Sequence, residues 1–141
     1  MTNDIPDFSS AKEFISEEAL TAEMEMHGSV ELFSIVSRAR RFEKDKSFEH
    51  IFSLGIQSIT NILKYSYVIV IAEKFGEGTQ IWNFDSQKIL EAIKKNWDTY
   101  KRHSAESNIE IAFVHEKFKD NLIKSRTNPI VIITDPALIY S

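Results

Sequence analysis

The chain predicts a mixed α/β protein of the α+β kind, with N-terminal helices followed by a β-β-α-β-α-β unit and helices packed on a central sheet of about four strands. Three observations predict it. From Asp45 to Glu73 (DKSFEHIFSLGIQSITNILKYSYVIVIAE) a helix-period stripe of Phe48, Ile51, Phe52, Ile56, Ile59, Ile62 and Leu63 gives way to a β-branched run from Tyr67 to Ala72. A glycine-bearing connection, EKFGEG, then joins that run to a second apolar segment, Thr79 to Phe84. Finally, a long amphipathic stretch after Asp85 precedes two further strand-type segments, Ile109 to Val114 and Ile130 to Thr134.

Residues 1–10 read as a polar lead-in to a single globular domain over residues 11–141. Ser10 and Glu13 match a capping box that opens a helix over about Ala11 to His27, closed by Gly28. Its apolar residues form a poor stripe beside Glu17, Glu18, Glu23 and Glu25. A second helix over Val30 to Glu43 sets Leu32, Ile35, Val36 and Ala39 on one face, widened by Val30 and Phe33. Asp45 stands where it can cap the third helix, and the short charged turn between the pair favours antiparallel packing. After the hairpin, Asp85 is an N-cap for a helix to about Arg102 with the stripe Ile89, Leu90, Ile93, Trp97 and Tyr100. Ile109, Ile111 and Phe113 alternate with Glu110 and Ala112 as in a half-buried strand. A short helix over Glu116 to Lys124 and a turn at Thr127-Asn128-Pro129 lead to Ile130 to Thr134, expected as a buried strand that ends at Asp135-Pro136.

At 141 residues, 43% hydrophobic and 27% charged, the chain has the size and balance of one ordinary globular core. It contains no cysteine, which excludes disulfides, thiolate metal sites and a cysteine nucleophile. No basic-then-apolar leader opens it, and no apolar run reaches membrane-spanning length, so a cytoplasmic protein without membrane contact is expected. Residues 1–31 carry two Asp and six Glu against Lys12, while the rest of the chain is slightly basic. The basic run of Arg38, Arg40, Arg41, Lys44 and Lys46 is interleaved with Glu43 and Asp45, the pattern of a solvated helix end, and a nucleic-acid partner is not expected.

Asp85, His115, Glu116 and Asp135 each follow a strand segment. Parallel strands would bring them to one edge of the sheet, where they would suit Mg²⁺ or Mn²⁺ and phosphoryl chemistry; as isolated residues they are helix caps and turn formers. His115-Glu116 lacks the second histidine of a zinc-protease helix, because Lys119 occupies that place. Gly76-Glu77-Gly78-Thr79 has no Lys-Ser/Thr after it and reads as a hairpin loop rather than a phosphate cradle. No serine sits in a Gly-x-Ser-x-Gly elbow. Trp82, Phe84, Trp97 and Tyr100 supply aromatic surface with polar handles and are the candidate ligand-binding residues.

From Val30 to Phe84, two amphipathic helices, the charged turn Glu43 to Lys46 and YSYVIVIAEKFGEGTQIWNF resemble the opening of a GAF domain. The resemblance covers about 55 residues of the 141. It implies a sensory or regulatory module, with an antiparallel sheet that carries a ligand cavity on one face and dimerising helices on the other. Tyr67 to Ala72 and Thr79 to Phe84 would be its first two strands, and the helices within 30–63 its dimerising pair. Residues 85–102 depart from that pattern, being a long regular helix.

The leading functional expectation is a non-catalytic regulatory or sensor-type domain that names no cofactor. It would form a homodimer or meet a protein partner through helices 30–63, with Leu32, Phe33, Val36 and Arg40 as interface residues, and bind a small molecule near Trp82, Phe84, Trp97 and Tyr100. An acidic inhibitor or immunity-type protein would instead turn the Glu-rich face of residues 13–31 toward a basic partner. A metal-dependent phosphohydrolase or nuclease would use Asp85, His115, Glu116 and Asp135.

Overall fold

The computed structural model describes residues 15–125 and 129–140. Their elements run α1 (Glu17–His27), β1 (Ser29–Glu31), α2 (Leu32–Phe42), α3 (Phe48–Leu63), β2 (Val68–Lys74), β3 (Gly78–Trp82), α4 (Ser86–Lys95), α5 (Trp97–Tyr100), α6 (Ser104–Ser107), β4 (Ile109–His115), a 3₁₀ turn (Glu116–Phe118), α7 (Lys119–Lys124), β5 (Ile130–Ile133) and a closing 3₁₀ turn (Pro136–Leu138). The β-β-α-β-α-β order is thus as expected, with one short strand added at the front.

The five strands lie in the order β1-β4-β2-β3-β5. The first four are mutually antiparallel, and β5 runs parallel to β3. The register sets Ala112 beside Ile71, Ile71 beside Ile81, and Ile81 beside Ile132. Because side chains alternate along a strand, two apolar faces result. Val70, Ala72, Trp82, Ile109, Ile111 and Phe113 face the helices, sharing one core with Leu20, Met24, Ile35, Ile59, Ile62 and Ile93. Each such fully buried Leu or Ile contributes about 1.5–3 kcal/mol through water release. Ile71, Ile81 and Val114 face the other way, under Phe118, Leu122 and Ile123.

α1 opens at Ser16, whose hydroxyl accepts from the Ala19 N–H at 3.1 Å, and closes at Gly28 with φ of 94°, a conformation glycine adopts without strain. The Ser10–Glu13 capping box lies outside the described residues. Val30 is not helical: it pairs with Phe113 in β1, and the second helix starts only at Leu32. Three extended residues suffice to protect the outer edge of β4. Ser47, rather than Asp45, caps α3; Asp45 accepts from the Ser47 N–H at 2.9 Å and so shapes the cap instead of forming it.

The buried stripe of α3 is Ile51, Gly55, Ser58, Ile59, Ile62 and Leu63. Phe48 is 53% exposed, because the first turn of the helix overhangs the core and its ring stacks on Phe52 at 5.8 Å. The long helix expected after Asp85 breaks at Asn96 into α4 and α5, yet Ile89, Leu90, Ile93, Trp97 and Tyr100 all stay buried. The last strand departs most from expectation. IVIIT reads as a buried strand, but β5 is a sheet edge, and Val131 and Ile132 are 51% and 58% exposed.

Candidate functional site

The antiparallel ladder between β2 and β3 stops at the Val70–Trp82 pair, whereas β2 continues to Val68 against His115 of β4. The two strands therefore part at this end of the sheet. Beyond the split the chain leaves β3 toward the helical face, where Asp85 caps α4 by accepting from the Gln87 N–H at 3.0 Å. It leaves β4 toward the opposite face, where Phe118, Leu122 and Ile123 pack. Strands β3 and β4 run in the same direction on either side of the antiparallel β2, and their carboxyl ends send their connections to opposite faces of the sheet.

A cavity of about 310 Å³ occupies the split. Val68, Val70, Trp82, Phe84 and Ile89 form its apolar walls, and Ser66, Asn83, Ser86 and Lys119 are its polar lining. Trp82 and Phe84 lie with ring centroids 6.0 Å apart and planes inclined by 25°. The Ser86 hydroxyl donates to the Leu63 carbonyl at 3.3 Å, tying the start of α4 to the end of α3. A larger groove of about 580 Å³ runs between α4 and the C-terminal segment, but its lining mixes Lys88 and Lys95 with Glu91 and Asp135, and the Asp135 carboxylate already accepts from the Ala137 N–H at 3.0 Å.

Of the four ligand candidates, Trp82 and Phe84 line the cavity. Trp97 and Tyr100 do not. Trp97 is buried against α3, edge-on to Phe52 at 5.1 Å. Tyr100 is buried too, and its hydroxyl donates to the Tyr140 carbonyl at 2.9 Å. Burial holds that phenol above the usual tyrosine range. The polar handles are consumed within the chain: the Trp82 indole N–H donates to Gln80 Oε1 at 3.1 Å.

The metal candidates are not brought together. β4 is two strand spacings from β3, roughly 10 Å, so His115 and Glu116 end far from Asp85 and Asp135. Asp85 and Asp135 are caps. His115 has both ring nitrogens engaged, Nε2 with Glu25 at 3.1 Å and Nδ1 accepting from the Lys117 N–H at 3.2 Å, while its ring stacks on Tyr67 at 4.5 Å. No group of three or more such ligands that could hold a metal ion occurs among the described residues.

The interface candidates divide as well. Leu32 and Val36 are 0% and 1% exposed inside the chain's own core and cannot face a second molecule. Phe33 is half-buried, edge-on to His103 at 5.0 Å, and Arg40 is exposed. The acidic face of α1 is largely engaged at home, with Glu17 on Lys64, Glu23 on Arg38 and Glu25 on Lys117. Lys119, which the sequence presents only as the residue standing where a zinc-protease helix would have its second histidine, lines the cavity; His115 ends β4, so the two are not on one helix.

Comparison with protein-family models, curated proteins and solved structures finds no match. No helix among the described residues is long and apolar enough to cross a membrane.

Proposed function

We propose that the chain is a non-catalytic regulatory domain of the sensor type that takes up a small molecule in the cavity between β2, β3 and α4. The observation that carries this reading is the parting of the sheet beyond Val70–Trp82, which leaves an aromatic-walled space at the end of an otherwise filled core. The candidate acids support it from the other side, since Asp85 and Asp135 spend their carboxylates on backbone N–H groups. A GAF-like module would combine the same parts: paired helices, a hairpin at the centre of the sheet and a lateral cavity. Cytoplasmic residence, and pairing of two copies through the outer faces of α2, where Phe33 and Arg40 lie, and of α3, complete the reading.

The test is a screen of small organic molecules by thermal shift, followed by two-dimensional NMR of the hits. The expected result is stabilisation by at least one chemical class, with shifts at the Trp82 indole and Asn83 side chain, both abolished by Phe84→Ala and by the cavity-filling Ser66→Phe. Hits whose shifts map elsewhere, or no hits at all, would refute the proposal.

A further inference from the structure

We infer that the cavity selects a small monoanion, a carboxylate borne on a flat apolar body, with Lys119 as its counter-charge. This rests on the sensor reading and specifies the ligand.

Among the described residues that line the cavity, Lys119 is the only one that carries charge, and none of them is a carboxylate. Lys64, Lys74, Lys101 and Lys117 each hold an acid of this chain. Lys119, half-buried at the start of α7, forms no ion pair among the described residues. Donors accompany it. The Asn83 amide and the Ser66 hydroxyl have no hydrogen-bond partner among the described residues, so both are available to an acceptor. Ser86 differs, having committed its proton to Leu63.

A lysine, an asparagine and a serine that line one space supply the donors an acceptor's site needs. A single cation beside low-dielectric walls matches one negative charge, and a second would remain uncompensated. Trp82, Phe84, Val70 and Ile89 supply the rest of the wall, which favours a ring or a branched hydrocarbon over a second polar group.

The experiment titrates the protein with benzoate, indole-3-acetate and isovalerate, each beside its neutral primary amide, with inorganic phosphate as a headgroup control, and reads the Trp82 indole and Asn83 resonances. At least one carboxylate is expected to bind about tenfold tighter than its amide, the gain a charge-assisted hydrogen bond adds over a neutral one, and to weaken with salt. Lys119→Gln should erase that preference and Lys119→Arg retain it, with unchanged far-UV circular dichroism in both. Equal binding of acid and amide would overturn the anion inference and leave the sensor reading standing. Phosphate binding as tightly as the carboxylates would overturn the apolar body, and silence of acids and amides alike would overturn both readings.

Discussion

The indole of Trp97 lies directly over Gly55: a β-carbon on that glycine would sit 2.7 Å from Trp97 Cη2. Trp97 is 4% exposed and fenced by Phe52, so the ring has little room to yield. Gly55→Ala therefore sets two effects against each other. Overpacking costs about 1–3 kcal/mol, and replacing a mid-helix glycine returns about 1 kcal/mol, for a net loss of about 0–2 kcal/mol. Urea denaturation checks the sign. Trp97→Phe shortens the ring, so the double variant should lose less than the two single losses added together; an alanine variant more stable than the parent, or losses that simply add, would contradict the contact.

Adjacent residues of β3 make opposite predictions. Gln80 is buried with both ends of its amide engaged: Oε1 accepts from the Trp82 indole and the Tyr140 N–H, and Nε2 donates to the Leu138 carbonyl. This network pins the C-terminal segment to the sheet. Gln80→Leu orphans the buried indole N–H and should cost about 1–3 kcal/mol, with amide exchange at Leu138 to Tyr140 accelerated ahead of global unfolding. Thr79 Oγ1 is buried with no partner among the described residues, so Thr79→Val removes a desolvated hydroxyl and should stabilise by about 1 kcal/mol. Unchanged exchange in the first variant, or a destabilised second, would show the polar accounting to be wrong.

Long periodic segments were legible because burial and period report the same fact. Ile59, Ile62, Ile93 and Phe113 lie where their spacing places them. Strand neighbours were not legible, since β-branched content says that a segment is extended and nothing about its position in the sheet. Hence Ile130–Ile133 read as buried although it is a half-exposed edge, and Ser29–Glu31, three residues long, carried no pattern to detect. The site suffered similarly. Trp82 and Phe84 were found as aromatics, but the cavity they wall is created by a mismatch in strand length, which pairing alone reveals. Leu32 and Val36 were read as surplus apolar surface because a helix pattern cannot distinguish one's own core from a partner.

Acid should loosen α1. Glu17 is held below the ordinary glutamate range first by its hydrogen bond with Lys64 and then by the Tyr65 hydroxyl, and Glu25 by its hydrogen bond with Lys117. A depressed folded-state pKa gives stability that is complete above the unfolded value, about 4.3, and is lost as pH falls through the lower folded one. Glu25 is exposed and Glu17 only half-buried, so the effect is modest and shrinks with salt. The Glu17→Gln, Glu25→Gln double variant should show a smaller drop in melting temperature between pH 6 and pH 3 than the parent, at low ionic strength. Identical drops would mean that the pairs do not hold α1.

The edge strand is where unwanted association should begin. Among the described residues β5 has β3 as its only neighbour, and it presents Val131 and Ile132 to solvent without a charge or proline inside the strand to discourage pairing. Open apolar edges of this kind template strand addition. Ile132 also walls the cavity, so Val131 is the cleaner position to alter. Val131→Lys should raise the concentration at which heating produces turbidity while changing stability by no more than about 0.5 kcal/mol, as expected for an exposed side chain. Light scattering during a thermal ramp, alongside circular dichroism, separates the two quantities. If scattering begins at the same concentration in the variant and the parent, association starts at a different surface.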